Sequence, residues 1–471
     1  MSSSKGKEKA TSSSRVLTFT GHAYLRQRLV YSLLSRRPVR IDSIRSHASS
    51  PGLREHEVSF IRLLERITQG SRIEISYTGT SLLFHPGTLA GGAHSHTCPV
   101  APKQSGGRSF SVGWFLEPLL LLAPFGKKDL TLTLYGITTD AQGPSADVLR
   151  TSGLPHLAMF LEKEGLELRV RLYLSLQLVV KSNELMGHER SQIVKRGHPP
   201  LGGGEIMFHC PSVKSLKGGF DFVRPGKVTK IRGLAHALRV SPQFANRVVS
   251  AARSVLNEFI PDIYIYTDVY RGEESGKSPG YALTLVATGS THVVHSAECS
   301  SCERLDAQPS ATSTGGDDAS KDRGPPPTPE EVGVRCAQRL LLEIARQGCV
   351  DRGFEPLVLA LMALGSEDVA RVRLGGPFEA QTIQALRDLR AFFGVTFKIK
   401  EVPALTTNGG KVSSAAAAAD GESSEDEDEE EDEDEEMSDG DDMAQQGLPE
   451  PQEFLLSCVG TGFVNVARRA G

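Results

Sequence analysis

Cysteine is scarce in this sequence, long apolar runs are missing, and histidine disappears after His295. The seven cysteines, Cys98, Cys210, Cys299, Cys302, Cys336, Cys349 and Cys458, are odd in number and widely spaced. That spacing excludes a disulfide framework and fits reduced thiols. The most apolar stretch, Trp114 to Phe125, is broken by Glu117 and Pro118 and is too short to span a bilayer, so no membrane partner is expected. The opening residues MSSSKGKEKATSSSR lack the apolar core of a secretory signal, which predicts an intracellular protein. With no imidazole beyond position 295, the last third of the chain cannot supply one to acid–base or nucleophilic chemistry.

What remains is ordinary in amount and uneven in placement. Hydrophobic residues make up 39% and charged residues 23%, as in a globular protein. The net charge of −4 hides a division. Gly421 to Asp442 carries 16 acids and no base, leaving 41 acids against 53 Lys and Arg elsewhere, a balance of about +12. A basic body with an acidic appendage predicts a polyanionic partner. The acidic run reads as a solvated loop over 406–449, where Ser423, Ser424 and Ser438 are candidate phosphorylation sites.

Periodicity predicts an α+β fold. After a disordered tail over 1–15 come a strand at Val16 to Phe19, a helix over Ala23 to Leu34 and a strand at Val39 to Ile41. A helix over Glu55 to Ile67 follows, then paired strands at Arg72 to Tyr77 and Ser81 to Phe84. The same order is expected over 108–180 and again near the C-terminus, giving three βαβαββ repeats in one large domain. Residues 16–210 would hold the first two repeats and 330–471 the third. A small α/β domain is expected over 211–307, inserted before the third repeat, with a linker over 308–329 that ends near Pro325-Pro326-Pro327.

The most specific local pattern is Arg196-Gly197-His198-Pro199-Pro200-Leu201-Gly202-Gly203-Gly204-Glu205-Ile206. Its glycines could let backbone amides approach an anion, or could simply form a tight turn. As a whole, through Arg196, Gly197, Pro200, Gly202, Gly203 and Gly204, it resembles the signature of the RNA 3'-terminal phosphate cyclase family. Gly21-His22-Ala23-Tyr24-Leu25-Arg26, Ile44-Arg45, Pro51-Gly52-Leu53 and Phe84-His85-Pro86-Gly87 are similar to motifs of that family's first repeat. The resemblance implies the same architecture of three repeats and one inserted domain.

It also implies a chemistry that this chain departs from. Cyclases of the family place AMP on a histidine just before the last long helix, and that step needs a neutral imidazole nitrogen. The matching stretch here is Gly375 to Thr382, with Ala380 or Gln381 at the histidine position. Phe19, Ala23 and Glu355-Pro356 stand where the family has Glu, Gln and Asp-Gln. Lys398 and Lys400 are the lysines near enough in sequence to be considered as replacement acceptors. No cofactor is expected. This pattern of losses resembles a non-cyclising branch of the family, which implies a nucleolar assembly factor for the small ribosomal subunit. Such a factor would act in early pre-ribosomal RNA processing, with pre-ribosomal RNA, a ribosome-assembly GTPase and the small-subunit precursor particle as partners.

Candidate anion contacts are Arg26, Arg45, Arg387 and Arg390; the last two share a helix face at i, i+3. Asp388 is the candidate for an alternative reading, an endoribonuclease working in the old cleft. His292, His295, Cys299 and Cys302 are zinc-type ligands, but their spacing is unlike a standard finger, and no metal site is expected.

Overall fold

A computed structural model describes residues 16–100, 109–161, 165–169, 195–303, 326–402 and 452–468. The expected tail over 1–15 and acidic loop over 406–449 lie outside these residues, as does nearly all of the linker over 308–329.

The first repeat runs β1 (Leu17–Thr20), α1 (Leu25–Ser35), β2 (Val39–Asp42), α2 (Glu55–Ile67), β3 (Thr68–Gln69), β4 (Arg72–Ile75), β5 (Leu82–His85) and β6 (Thr88–Leu89). Local chemistry sets its boundaries. Arg36 turns left-handed to end α1 just before Pro38, and Glu57 accepts the Arg54 N–H at 2.9 Å to cap α2. Phe60, Ile61, Leu64 and Ile67 form the buried stripe of α2. The sheet order is β1-β2-β5-β4, with β1 and β2 parallel.

The second repeat copies that order. It comprises β7 (Gly92–Thr97), α3 (Val112–Leu122), β8 (Leu130–Gly136), α4 (Ala146–Val148), α5 (Leu154–Ala158), β9 (Glu167–Arg169) and β10 (Gly204–Cys210), with sheet order β7-β8-β10-β9. Two details differ from expectation. The repeat opens at β7, upstream of the expected start at 108, because GAHSHT carries too few apolar residues to announce a strand. Its last strand is β10, which runs directly out of the glycine signature. Of the strands expected over Leu166 to Leu178, β9 is described and the part beyond residue 169 is not.

The third repeat is interrupted after its first strand, β11 (Asp221–Phe222). The inserted domain follows as β12 (Val228–Leu238), α6 (Gln243–Leu256), β13 (Ile263–Tyr270), β14 (Gly280–Gly289), β15 (Val294–Ser300) and α7 (Pro329–Ala345), with sheet order β13-β12-β14-β15. The repeat then resumes with α8 (Glu355–Leu364), β16 (Val369–Gly375), α9 (Ala380–Phe393), β17 (Lys398–Val402) and β18 (Glu453–Val459). Its sheet, β11-β16-β18-β17, again sets the first two strands parallel.

The expected boundaries of 211–307 and 330–471 are therefore corrected. Residues 221–222 pair with β16 and belong to the body, so the insertion lies within the third repeat and not before it. Helix α7 belongs to the insert. Its Val332, Cys336, Ala337 and Leu340 share a core with Val248 and Ala252 of α6 and Leu283 and Leu285 of β14. A side chain at Gly333 would meet Val248 O at 2.4 Å, so the two helices touch backbone to backbone. The three repeats share a separate core, in which Phe19 stacks on Phe392 at 5.6 Å and Trp114 meets Phe60 at 5.9 Å. Among the described residues no helix is long and apolar enough to cross a membrane.

Candidate functional site

Helices α1, α3 and α9, one from each repeat, converge on a cavity of about 310 Å³. The entry to α1 bends sharply, with Gly21 and Tyr24 both in the left-handed region, and this delivers Arg26 to the cavity wall. Arg45, itself left-handed, comes from the loop before α2. Trp114 and Glu117 come from α3, and Gln381, Ala385 and Asp388 line up on one face of α9.

Every arginine here already faces a carboxylate. Arg26 bonds Glu117 at 3.1 Å and the Trp114 carbonyl, and its guanidinium lies 4.2 Å from the centre of the Trp114 ring. Arg45 grips Glu57 through two bonds of 2.8 Å each, and Arg28 reaches Asp388 at 3.2 Å from behind the wall. Burial alone would raise the Glu57 carboxyl, but the Arg45 fork and the Arg54 N–H more than offset it, and its pKa is lowered. His56 packs against Phe110 with ring centres 3.9 Å apart, and burial lowers its pKa to about 4, so it is neutral at physiological pH. An anion entering this cavity must compete with carboxylates for each guanidinium.

Asp388 is buried with both oxygens engaged, one by Arg28 and the other by Gln384 Nε2 at 2.7 Å. Burial raises its pKa and the Arg28 charge opposes the rise. As a general base it would first have to break an ion pair. Arg387 and Arg390 do share a face, but it is the exposed outer face of α9, away from the cavity wall formed by Gln381, Ala385 and Asp388.

The glycine signature lies elsewhere, at the joint between body and insert. Arg196 is fully buried, bonded to Asp147 at 2.6 and 3.3 Å and to Asp268 at 3.3 Å. A side chain at Gly197 would meet Gly204 N at 2.4 Å and Gly136 O at 2.5 Å. Gly202 and Gly203 take positive φ, and Pro200 follows a cis bond. The loop's polar groups are spent on protein: Gly197 N donates to Thr138 Oγ1, Leu201 N donates to Ser278 Oγ, and Gly202 O accepts Lys277 N–H at 2.9 Å. The loop forms a tight turn whose Gly197, Leu201 and Gly202 amides are bonded within the protein.

Comparison with known proteins agrees with this geometry. A family model for RNA 3'-terminal phosphate cyclase matches residues 17–176, and one for the insert domain of that family matches 223–345. An RNA 3'-terminal phosphate cyclase-like protein of Homo sapiens is 45% identical over 388 residues, 82% of this chain and 91% of that protein. The rRNA processing protein rcl1 of Schizosaccharomyces pombe is 40% identical over 394 residues, 83% and 94% of the two chains. The rRNA processing protein RCL1 of Saccharomyces cerevisiae is 34% identical over 395 residues, 83% and 93%. The chain belongs to the RNA 3'-terminal phosphate cyclase family.

Within that family, the residue at the implied nucleotide-accepting position can now be placed. Gln381 lines the cavity, and Ala380 is exposed at the start of α9. Its amide donates to Glu379 at 2.8 Å. Lys398 and Lys400 are exposed on β17, the edge strand, and do not line the cavity. Glu355 is buried and held by Arg346 at 2.5 Å and Thr382 Oγ1 at 2.7 Å. The four zinc-type residues are strung along β15 and its ends. Cys302 Sγ lies 3.3 Å from His198 Nε2, and Cys299 lies beside Cys336. No group of three or more metal-capable side chains converges among the described residues.

The sequence reading missed Arg28, Glu57, Trp114 and Glu117. Glu117 did carry a signal, as the one charge in the apolar run that became α3.

Proposed function

We propose that this chain is a non-cyclising member of its family that acts in rRNA processing. In this reading it is an assembly factor for the small ribosomal subunit in the nucleolus, binding pre-ribosomal RNA within the precursor particle together with a ribosome-assembly GTPase. The observation that carries the reading is Gln381 at the cavity wall, where a cyclase needs an imidazole. A carboxamide nitrogen is not nucleophilic and cannot form the phosphoramidate. Support also comes from the two fungal relatives named as rRNA processing proteins. An endoribonuclease centred on Asp388 gains nothing from the geometry, since the carboxylate is buried and paired and no metal-capable partners gather beside it among the described residues.

Two measurements test the proposal. Incubated with radiolabelled ATP and resolved by denaturing electrophoresis, the purified chain should carry no nucleotide; a labelled band would overturn the non-cyclising reading. Depleting the protein in its host should raise the ratio of unprocessed small-subunit precursor to mature rRNA on a Northern blot. An unchanged ratio would remove the processing role.

A further inference from the structure

The sheet of the inserted domain has two unlike faces. One carries Ile231, Ala235, Ile263, Ile265, Leu283 and Leu285 and is covered by α6 and α7. Strand alternation sends Lys230, Arg232, Tyr264, Tyr266 and Thr288 to the opposite face. The body covers part of that second face: Asp268 of β13 bonds Arg196, and Glu298 of β15 accepts the Ser145 N–H. The corner at the outer ends of β12 and β13 is left open. There Tyr264 and Tyr266 are 51% and 46% exposed, with ring centres 4.4 Å apart and planes at 67°.

The two rings offer apolar faces with a polar tip to a partner, and the chemistry around them selects what kind of partner it is. Arg232 stands directly beside Tyr264 in the β12–β13 ladder, and Lys230 lies two residues further along the same face. Arg224, Lys227, Lys230 and Arg232 enter within nine residues, with no acid between them. Lys230 has no ion-pair partner among the described residues. Arg232, its side chain 19% exposed and its Nη1 also donating to the Ile231 and Asp262 carbonyls, holds the half-exposed Asp262 carboxylate at 2.8 and 3.0 Å, and that carboxylate is the group a phosphate would displace. A sheet face that offers aromatic rings next to backbone-gripping cations matches the way single-stranded nucleic acid is held: bases stack on rings while phosphates meet Lys and Arg.

We infer that the open corner of the insert sheet, built on Tyr264, Tyr266, Arg232 and Lys230, binds single-stranded RNA. The inference deepens the rRNA-processing reading and rests on it for the choice of RNA. The site is separate from the three-repeat cavity and lies on a different domain. It takes unpaired nucleotides, because a duplex keeps its base faces stacked inside and presents no ring to the tyrosines.

The test uses the full chain and a fluorescently labelled 12-nucleotide RNA of mixed sequence, with binding followed by anisotropy at fixed salt. Tyr264→Ala with Tyr266→Ala should weaken binding by on the order of tenfold for each ring removed. Tyr264→Phe with Tyr266→Phe should bind within about twofold of the native chain, because the stacking surface survives. Lys230→Ala should flatten the dependence of log affinity on log salt by about one contact. Unchanged melting temperatures would exclude unfolding as the cause. Several results would overturn the site: alanine variants that bind like the native chain, phenylalanine variants as weak as the alanine ones, or preference for a duplex of the same sequence. So would loss of a protein partner by the alanine variants with RNA affinity intact, since it would make this an edge for a protein strand. Failure of the wider reading is distinguishable, because depletion would then leave precursor rRNA unchanged while the purified chain still bound the oligonucleotide through its tyrosines.

Discussion

Replacing Arg196 with methionine is expected to destabilise the fold by about 3–5 kcal/mol, the cost of leaving a buried charge without its partner. Arg196 has no solvent exposure and bonds Asp147 through two contacts, with Asp268 on its other side. Burial alone would raise the Asp147 carboxyl, yet the Arg196 charge holds it at about 2, so this acid is ionised in the folded protein only because the guanidinium is there. Without it, Asp147 has Arg150 as a more distant cation at 3.7 Å, and it must either take up a proton or draw in water. His236, buried nearby with neither ring nitrogen bonded, has its pKa held far down by burial and by Arg196, and would become the nearest group able to charge in response. The measurement is urea unfolding at neutral pH. Adding Asp147→Asn to the methionine variant should recover much of the loss, because a neutral amide does not need the lost partner. A single variant as stable as the native chain would show that the joint does not depend on this pair.

How far the fold could be read ahead depended on where each element's information lies. Helix α2 was read residue for residue, because a capping acid, an apolar stripe and a terminating turn are all local. β8 is equally local, since LTLTLY alternates and its leucines are all buried. β7 was missed because its pairing with β8 supplies what GAHSHT does not declare. α7 lies in the span expected to belong to the third repeat and packs instead in the insert. Val332, Cys336 and Leu340 define an apolar face but not which sheet receives it, and that choice is tertiary. The insertion point was off for the same reason: β11 is two residues long and is recognisable only by its pairing with β16.

The site shows the same division. Arg26 and Arg45 were named from motif positions and line the cavity, as does Gln381, one of the two residues considered at the third-repeat position. The partners were not legible. Glu57, Glu117 and Asp388 lie 12, 91 and 360 residues from the arginines they neutralise. One clue was present in the helix pattern itself. On α9, Thr382, Ala385, Leu389 and Phe392 form the buried stripe, and Asp388 sits in it, so the arginines on either side of the acid had to face outward. A carboxylate inside an apolar stripe announces a buried partner more often than a free catalytic group.

The seam between insert and body should also make the protein less stable as pH rises from about 7.5 to 8.5. Asp351, at the base of the third repeat, is buried and accepts from Ser152 Oγ at 3.0 Å and from Ser296 N and Oγ of the insert at 3.2 and 2.5 Å. Burial raises its pKa to about 7, and burial raises that of Glu298, two residues along the same strand from Ser296, to about 8. The folded state therefore keeps protons that the unfolded chain, with ordinary carboxyls, has released. Stability from these groups is complete below the unfolded pKa values and is lost as pH climbs through 7 and 8, by at most about 1.4 kcal/mol per pH unit for each proton retained. Buried imidazoles pull the other way: His56, His96, His156 and His198 all have pKa values lowered to about 4, so folding gains from their deprotonation as the solution rises towards pH 6.5. About one pH unit above that point, where the unfolded imidazoles too are largely neutral, they fall silent, which leaves the carboxyls to set the slope. Melting temperature measured at half-unit steps should therefore decline across the upper window, and Asp351→Asn with Glu298→Gln should level it, because neither amide has a proton to lose. A native profile that stays flat from 7.5 to 8.5, or a double variant that declines as steeply as the parent, would mean that these two acids are ionised in the folded joint and that the seam is wetter than its contacts imply.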